Sequence, residues 1–289
     1  MKRHNLNSPK LVELKKQRRK IFASKIFLCL VVFCSVFAIF AYISRLPVLN
    51  IKEIEVDDSK QADVAIMRSI VEKEIADNYV WFFPKSNVFF YPKNSIKNAL
   101  MNEFKSIKEA HISIDGKRTL KISLAERVAS YTWCGKMPSA LRMDNEKLPC
   151  YFLDDTGFIF NKAPYFSGEV YFKFYGSTDS NTDNPLGSYF LKDNFRKFIL
   201  LKQTLENLGL KPVALYKEDS GDAKVFLSGR TQPTEPEIIF KSDADFQKIA
   251  ENLETALNTE PLKSNLKNKY SSLLYIDLRI GNKVYYKFR

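Results

Sequence analysis

The sequence predicts an α+β protein carried by a single N-terminal transmembrane helix, and three observations predict it. Nine Lys and Arg stand among the first 25 residues beside one acid, Glu13. Residues Ile26 to Ile43 then run 18 positions without a charge. The remainder switches between strand and helix periodicities and is charged throughout. These set a basic tail over 1–25, a transmembrane helix over 26–44, and a strand-helix-helix-strand-strand module over 46–128. A mixed α/β domain dominated by an antiparallel sheet fills 129–289.

The anchor rests on length and charge. Eighteen residues at helical rise give about 27 Å, close to a hydrocarbon core. The bases of the tail, Lys2 to Lys25, keep the N-terminus in the cytoplasm and send the bulk of the chain outside. A cleaved secretory signal is the other reading of such a start. Its apolar core runs about 7 to 15 residues and ends in a small-x-small site, whereas Ala38-Ile39-Phe40-Ala41 has the wrong spacing.

The formal charge of +12 changes meaning once divided by compartment. Removing the tail's nine bases and one acid from totals of 45 and 33 leaves 36 against 32. The basicity is therefore a topology signal, with attraction to anionic lipid head groups. It gives no support to nucleic-acid binding, since no basic run interleaved with aromatics occurs beyond the tail. Cys29 and Cys34 lie in the span as small apolar residues. Cys134 and Cys150 are open to two readings: a disulfide closing the loop between them, or a free pair. Two cysteines do not make a metal site here, since the only histidines are His4 in the tail and His111. No cofactor is expected.

Ile54 and Val56 alternate with Glu53 and Glu55, which predicts a strand over Ile51 to Asp57. Val64, Met67, Ile70, Val71 and Ile75 recur at helical spacing behind Asp63 as N-cap. Ile96, Ala99, Leu100 and Phe104 outline a second helix that starts near Pro92 and Asn94 or Ser95. Ala110, Ile112 and Ile114, then Leu120, Ile122 and Leu124, flank Gly116 as a hairpin with one apolar face. Between the helices, Trp81, Phe82, Phe83, Phe89, Phe90 and Tyr91 fit core packing and loop anchoring, a docking patch, or a place at the lipid interface.

Beyond Ala129 strands are predicted at Ser130 to Trp133, Cys150 to Leu153, Phe158 to Phe160 and Val170 to Tyr175, with a turn over Asp154 to Gly157. Gly176 to Gly187 reads as a loop. Phe195, Phe198, Ile199, Leu205 and Leu208 mark a helix stopped by Gly209, followed by strands Val213 to Lys217 and Lys224 to Ser228. Ser242 and Asp245 fit a capping box ahead of Phe246, Ile249, Ala250, Leu253 and Leu257. Leu274 to Ile280 and Lys283 to Phe288 around Gly281-Asn282 form a terminal hairpin whose last strand is a sheet edge.

Three stretches, in this order behind a basic tail and one span, resemble the FtsQ/DivIB family of bacterial cell-division proteins. Lys117-Arg-Thr-Leu-Lys-Ile-Ser-Leu-Ala-Glu-Arg127 is similar to the signature closing the family's POTRA domain, though it lacks the flanking prolines. Tyr151-Phe-Leu-Asp-Asp-Thr-Gly-Phe-Ile-Phe160 is similar to the opening of the family's β domain. Tyr275-Ile-Asp-Leu-Arg279 is similar to a motif near its C-terminus. The Ser130 to Cys150 insert has no counterpart in that pattern.

The resemblance implies a POTRA domain over 46–128 and a C-terminal β domain over 129–289. It further implies a non-enzymatic divisome component in the cytoplasmic membrane at the septum, binding FtsB/DivIC-like and FtsL-like membrane proteins by strand addition, with no small-molecule substrate. The expected partner-binding residues are Leu278, Arg279, Ile280, Asn282, Val284, Tyr285 and Tyr286. Arg279 is open to two roles, a contact to an acidic partner residue or an internal salt bridge near Asp277 or to Glu126. A POTRA-bearing secretion or assembly factor is the alternative, disfavoured by a single module and no series of lipid-facing strands. An envelope hydrolase lacks parts: His111 is alone, Asp57-Asp58 and Asp154-Asp155 sit at turns, and neither Gly-x-Ser-x-Gly nor His-Glu-x-x-His occurs.

Overall fold

A computed structural model describes residues 9–57, 63–136, 149–166, 169–180, 184–228 and 236–289. Lys2, Arg3, His4, Asp58, positions 137–148 of the insert and 181–183 of the Gly176 to Gly187 loop lie outside the described residues. The chain divides into two compact units, Met1–Glu103 with Glu109–Ala125, and Phe104–Lys108 with Glu126–Arg289.

In the first unit, α1 (Pro9–Ser44) is one helix of 36 residues, about 54 Å long. Tail and span are thus continuous from Pro9, because Leu, Lys, Arg and Gln are all good helix formers and no breaker separates them. Over Glu13–Ser44 the helix is long and apolar enough to cross a membrane. Beyond it come β1 (Glu53–Asp57), α2 (Val64–Ile75), a small hairpin of β2 (Asn78–Tyr79) and β3 (Phe83–Pro84), α3 (Lys93–Glu103), β4 (Ile107–Asp115) and β5 (Thr119–Glu126). The sheet runs β1-β5-β4, with β1 parallel to β5. Asp63 caps α2 as expected, accepting from the Ala65 N–H at 2.8 Å. Met67, Val71, Ile96 and Leu100 of the helices are fully buried, as are Ile112, Leu120 and Ile122 of the sheet. Two amphipathic helices over one apolar sheet face account for all seven.

The second unit is built on nine strands in the order β14-β13-β12-β11-β10-β9-β6-β7-β8. These are β6 (Tyr131–Trp133), β7 (Tyr151–Leu153), β8 (Ile159–Lys162), β9 (Lys173–Tyr175), β10 (Pro212–Lys217), β11 (Asp222–Leu227), β12 (Glu237–Lys241), β13 (Leu273–Ile280) and β14 (Lys283–Phe288). The sheet is mixed: β9 is parallel to both β6 and β10, and β12 is parallel to β13, whereas the other ladders are antiparallel. Helices α4 (Phe195–Asn207), α5 (Phe246–Leu257) and α6 (Leu262–Lys269) pack with one face into a single core.

Three features depart from the sequence reading. β12 has no counterpart in the sequence reading, since Glu-Ile-Ile-Phe-Lys shows no alternation; Ile238 and Phe240 enter the main core while Ile239, on the other face, is 8 % exposed, so both faces are buried. α6 carries only Leu262 and Leu266 as apolar residues and gives no helical stripe. Asp245, not Ser242, is the N-cap of α5, accepting from Gln247 N–H at 3.0 Å, while the Ser242 hydroxyl donates to the Gly221 carbonyl.

Cys134 and Cys150 form a disulfide across 16 positions. Cys134 joins Tyr175, Ala214 and Phe226 in a small cluster on the sheet face opposite the helices. Loop-closure entropy predicts that Cys134→Ser/Cys150→Ser loses about 3 kcal/mol of unfolding free energy in a urea titration, and that dithiothreitol gives the native chain the same loss. Gly157 closes the turn after β7 at φ +81°, where a Cβ would stand 2.8 Å from the Phe190 carbonyl oxygen and from the Phe195 ring. Gly157→Ala is expected to cost about 2 to 3 kcal/mol in the same titration.

Candidate functional site

The β13–β14 hairpin ends the sheet, and the described residues place no strand beyond β14. Gly281, at φ +54°, takes the first turn position, which L side chains resist, so the two-residue Gly281-Asn282 loop sets Ile280 opposite Lys283. The Arg289 N–H donates back to the Ser272 carbonyl at 2.8 Å. Because main-chain groups alternate along an antiparallel strand, Lys283, Tyr285 and Lys287 also bond inward, and Val284, Tyr286 and Phe288 turn their N–H and C=O outward.

Side chains alternate the other way. Val284, Tyr286 and Phe288 pack on the main core, whereas Lys283, Tyr285 and Lys287 are exposed on the opposite face. Ile280 and Asn282 are exposed at the turn. Leu278 is a correction to the expected site: at 7 % exposure it belongs to the core and offers no surface. Val284 and Tyr286 likewise present backbone rather than side chain.

Arg279 takes the internal one of its two roles, and its partners are Asp277 and Asp222, not Glu126. Its Nε donates to Asp277 Oδ1 at 2.9 Å, Nη2 to Asp277 Oδ2 at 2.6 Å and Nη1 to Asp222 Oδ2 at 2.7 Å. The ladder slips by one residue between Asp277 and Ile280, leaving an extra residue on β13. Asp277 Oδ1 also accepts the Arg279 N–H at 3.0 Å, satisfying a donor the slip would strand. The Asp-Leu-Arg motif is thus a lock on a β-bulge. Hydrogen bonds from Arg279 hold the Asp277 carboxyl below its ordinary range, and Lys241 and then Arg279 do the same for Asp222.

Two other motif residues meet where sequence gave no pairing. Arg127 Nη1 donates to Asp154 Oδ2, and its guanidinium carbon lies 3.9 Å from the centre of the Phe158 ring. Asp154 is 1 % exposed and also accepts from Thr156 N–H, Thr156 hydroxyl and Phe158 N–H at 2.8, 2.6 and 3.0 Å. Burial raises its pKa, but these donors outweigh burial and the net shift is downward. Arg127 and the Asp-x-x-Gly turn are therefore structural here.

The aromatic segment between α2 and α3 departs from core packing: Trp81 is 87 %, Phe89 73 % and Phe90 55 % exposed. His111 is exposed on β4. Ser264-Asn265-Leu266-Lys267 matches Ser-x-x-Lys in spacing, but its hydroxyl donates to Glu260 on an exposed helix end. Among the described residues, no group of three His, Cys, Asp or Glu could hold a metal ion.

The depressed carboxyls fix the sign of a pH effect. A carboxyl with lowered folded pKa stabilises the fold above its unfolded value, near 3.8 for Asp277 and Asp222, and that contribution is lost as pH falls below it. Asp277→Asn is expected to cost about 1 to 3 kcal/mol at pH 7 and progressively less below pH 4, read as two urea titrations. No protein-family model matches the chain, and no curated protein does.

Proposed function

We propose that the chain is a non-enzymatic scaffold of the FtsQ/DivIB type, anchored by α1 with its N-terminus in the cytoplasm, which captures other single-span division proteins on its C-terminal edge at the septum. The observation that carries this reading is the open β14, whose outward N–H and C=O groups are a template for an added strand. Three further features support it. The basic residues lie on the N-terminal side of the apolar span. The three resembling stretches fall at the hairpin β4–β5, at β7–β8 and at β13. The exposed face of β14 carries Lys283, Tyr285 and Lys287, which fits an extended partner with two acidic residues four positions apart and an apolar residue midway between them.

In this reading Arg279 acts through the bulge rather than by touching a partner. Partner contact falls to Ile280, Asn282, Tyr285 and the outward main chain of Val284 and Tyr286.

The test is a pull-down of FtsB/DivIC-like and FtsL-like ectodomains on the full chain, with Val284→Pro and Tyr285→Ala alongside. Proline removes one outward donor while keeping an apolar side chain of similar size, and an edge strand tolerates it. Binding at least about tenfold weaker for Val284→Pro, with unchanged circular dichroism, is the expected outcome. Equal binding by all three would move the interface elsewhere, and no binding by any would remove the division reading.

A further inference from the structure

Within the first unit, the segment from Tyr79 to Tyr91 puts Tyr79, Val80, Trp81, Phe82, Phe83, Phe89, Phe90 and Tyr91 in 13 positions, and five of them, Val80, Trp81, Phe82, Phe89 and Phe90, are 47–87 % exposed. A water-facing surface of that composition is rare in a soluble domain. The segment is not beside water alone. The rings of Phe82 and Phe83 each stand edge-on to Phe37 of α1 with centroids 5.5 Å apart. Phe37 lies six residues inside Ile43, the last of the apolar run, which is about 9 Å along the helix axis. If α1 crosses a bilayer, those rings sit below the head groups, among the acyl chains of the leaflet at the C-terminal end of α1. Between α1 and the segment runs a groove of about 510 Å³ lined by Phe33, Phe37, Phe40, Phe83, Phe89 and Phe90, of the chemistry an acyl chain fills.

Several polar groups of the segment are paired within the protein, and in lipid an unsatisfied backbone group costs several kcal/mol. Arg45, the first base after the span, donates Nη2 to the Trp81 carbonyl at 2.9 Å and Nε to the Phe82 carbonyl at 3.2 Å. The Phe82 N–H closes the turn on the Tyr79 carbonyl at 3.1 Å. Asn87, 1 % exposed, donates to the Ser44 carbonyl at the end of α1 and accepts from the Phe89 N–H, both at 3.0 Å. Val80 and Trp81 hold φ at +46° and +68°, each costing about 1 to 2 kcal/mol that glycine would avoid. Two large apolar side chains kept at strained positions, and kept exposed, point to a task for them there.

We infer that this segment is a membrane-inserting element: Trp81, Phe82, Phe89 and Phe90 enter the leaflet at the C-terminal end of α1, so that the module is held on the bilayer at two points. The inference rests on α1 crossing a membrane, and the experiment separates the two. The chain has two tryptophans, Trp81 and Trp133, so Trp133→Phe leaves Trp81 as sole reporter in the full chain reconstituted in phosphatidylcholine vesicles; Trp133→Tyr replaces it if Phe alters the near-ultraviolet spectrum. A second chain, Trp81→Phe/Trp133→Phe/Phe33→Trp, reports on α1.

The expected result is a blue-shifted Trp81 emission, loss of quenching by aqueous iodide, and quenching by lipids brominated near the head group. Iodide quenching of Trp81 with the Phe33→Trp probe still quenched by brominated lipid would overturn the insertion and leave the anchor standing. Trp81 shielded from both quenchers would mean protein covers it, and would overturn the inference equally. Iodide access to the α1 probe as well would remove the anchor, and the inference with it.

Discussion

Burial of one whole face of the nine-stranded sheet under α4, α5 and α6 is the constraint on which the second unit depends. Leu153, Phe174, Leu215, Val225, Phe240, Leu253 and Ile276 are at most 1 % exposed in one continuous core. Each such side chain is worth about 1.5 to 3 kcal/mol against exposure. Because strand side chains alternate, slipping β14 by one residue would lift Val284, Tyr286 and Phe288 out and drive Lys283 and Lys287 in. Register is thereby specified at the edge as well as at the centre. The bulge between Asp277 and Ile280 fits the same constraint. Leu278 stays in the core, and the extra residue lets Arg279 and Ile280 both leave it, Arg279 beside Asp277 and Asp222.

Much of this was legible in the sequence, and the parts that were not share a physical cause. Half-buried strands announce themselves by alternation, as Leu120, Ile122 and Leu124 do in β5, and amphipathic helices by stripes, as Met67 and Val71 do in α2. A central strand covered on both faces, β12, has no such signal. Nor has a polar helix such as α6, which buries Leu262 and little else. Long-range partners are invisible to any local pattern: Arg127 meets Asp154 across 27 positions, and Arg279 meets Asp222 across 57. The spacing of Cys134 and Cys150 allowed a bridge without requiring one. Composition could not tell buried from exposed aromatics around Trp81, because the same residues serve both places; a β-branched and a bulky residue in a tight turn was the signal available, and only backbone angles reveal it.

The motif residues themselves carry a lesson about where function can sit. A buried carboxylate such as Asp154 is tolerated only with its acceptor sites filled, and Thr156, Phe158 and Arg127 fill them. Asp277 is likewise consumed by Arg279. These groups have little left to offer a ligand or partner. Among the described residues, the backbone at the β14 edge and the apolar surface beside α1 are left exposed.

An open edge invites pairing with a second copy of the same chain, so it needs a bias against itself. At the far end of the sheet the problem is met by covering: Ile159 of β8 donates its N–H to the Ser188 carbonyl at 2.9 Å and accepts from the Gly187 N–H at 2.8 Å. β14 has no such cover among the described residues, and its charge takes over that work. Two copies meeting antiparallel along β14 would bring Lys283 of each near Lys287 of the other on one face, a like-charge contact that costs free energy. An acidic strand in the same place turns both contacts favourable, and Tyr285 between them supplies apolar area whichever strand arrives. Under the proposed strand addition, the same alternation would oppose self-association and favour a partner of opposite charge, with side chains the core does not need.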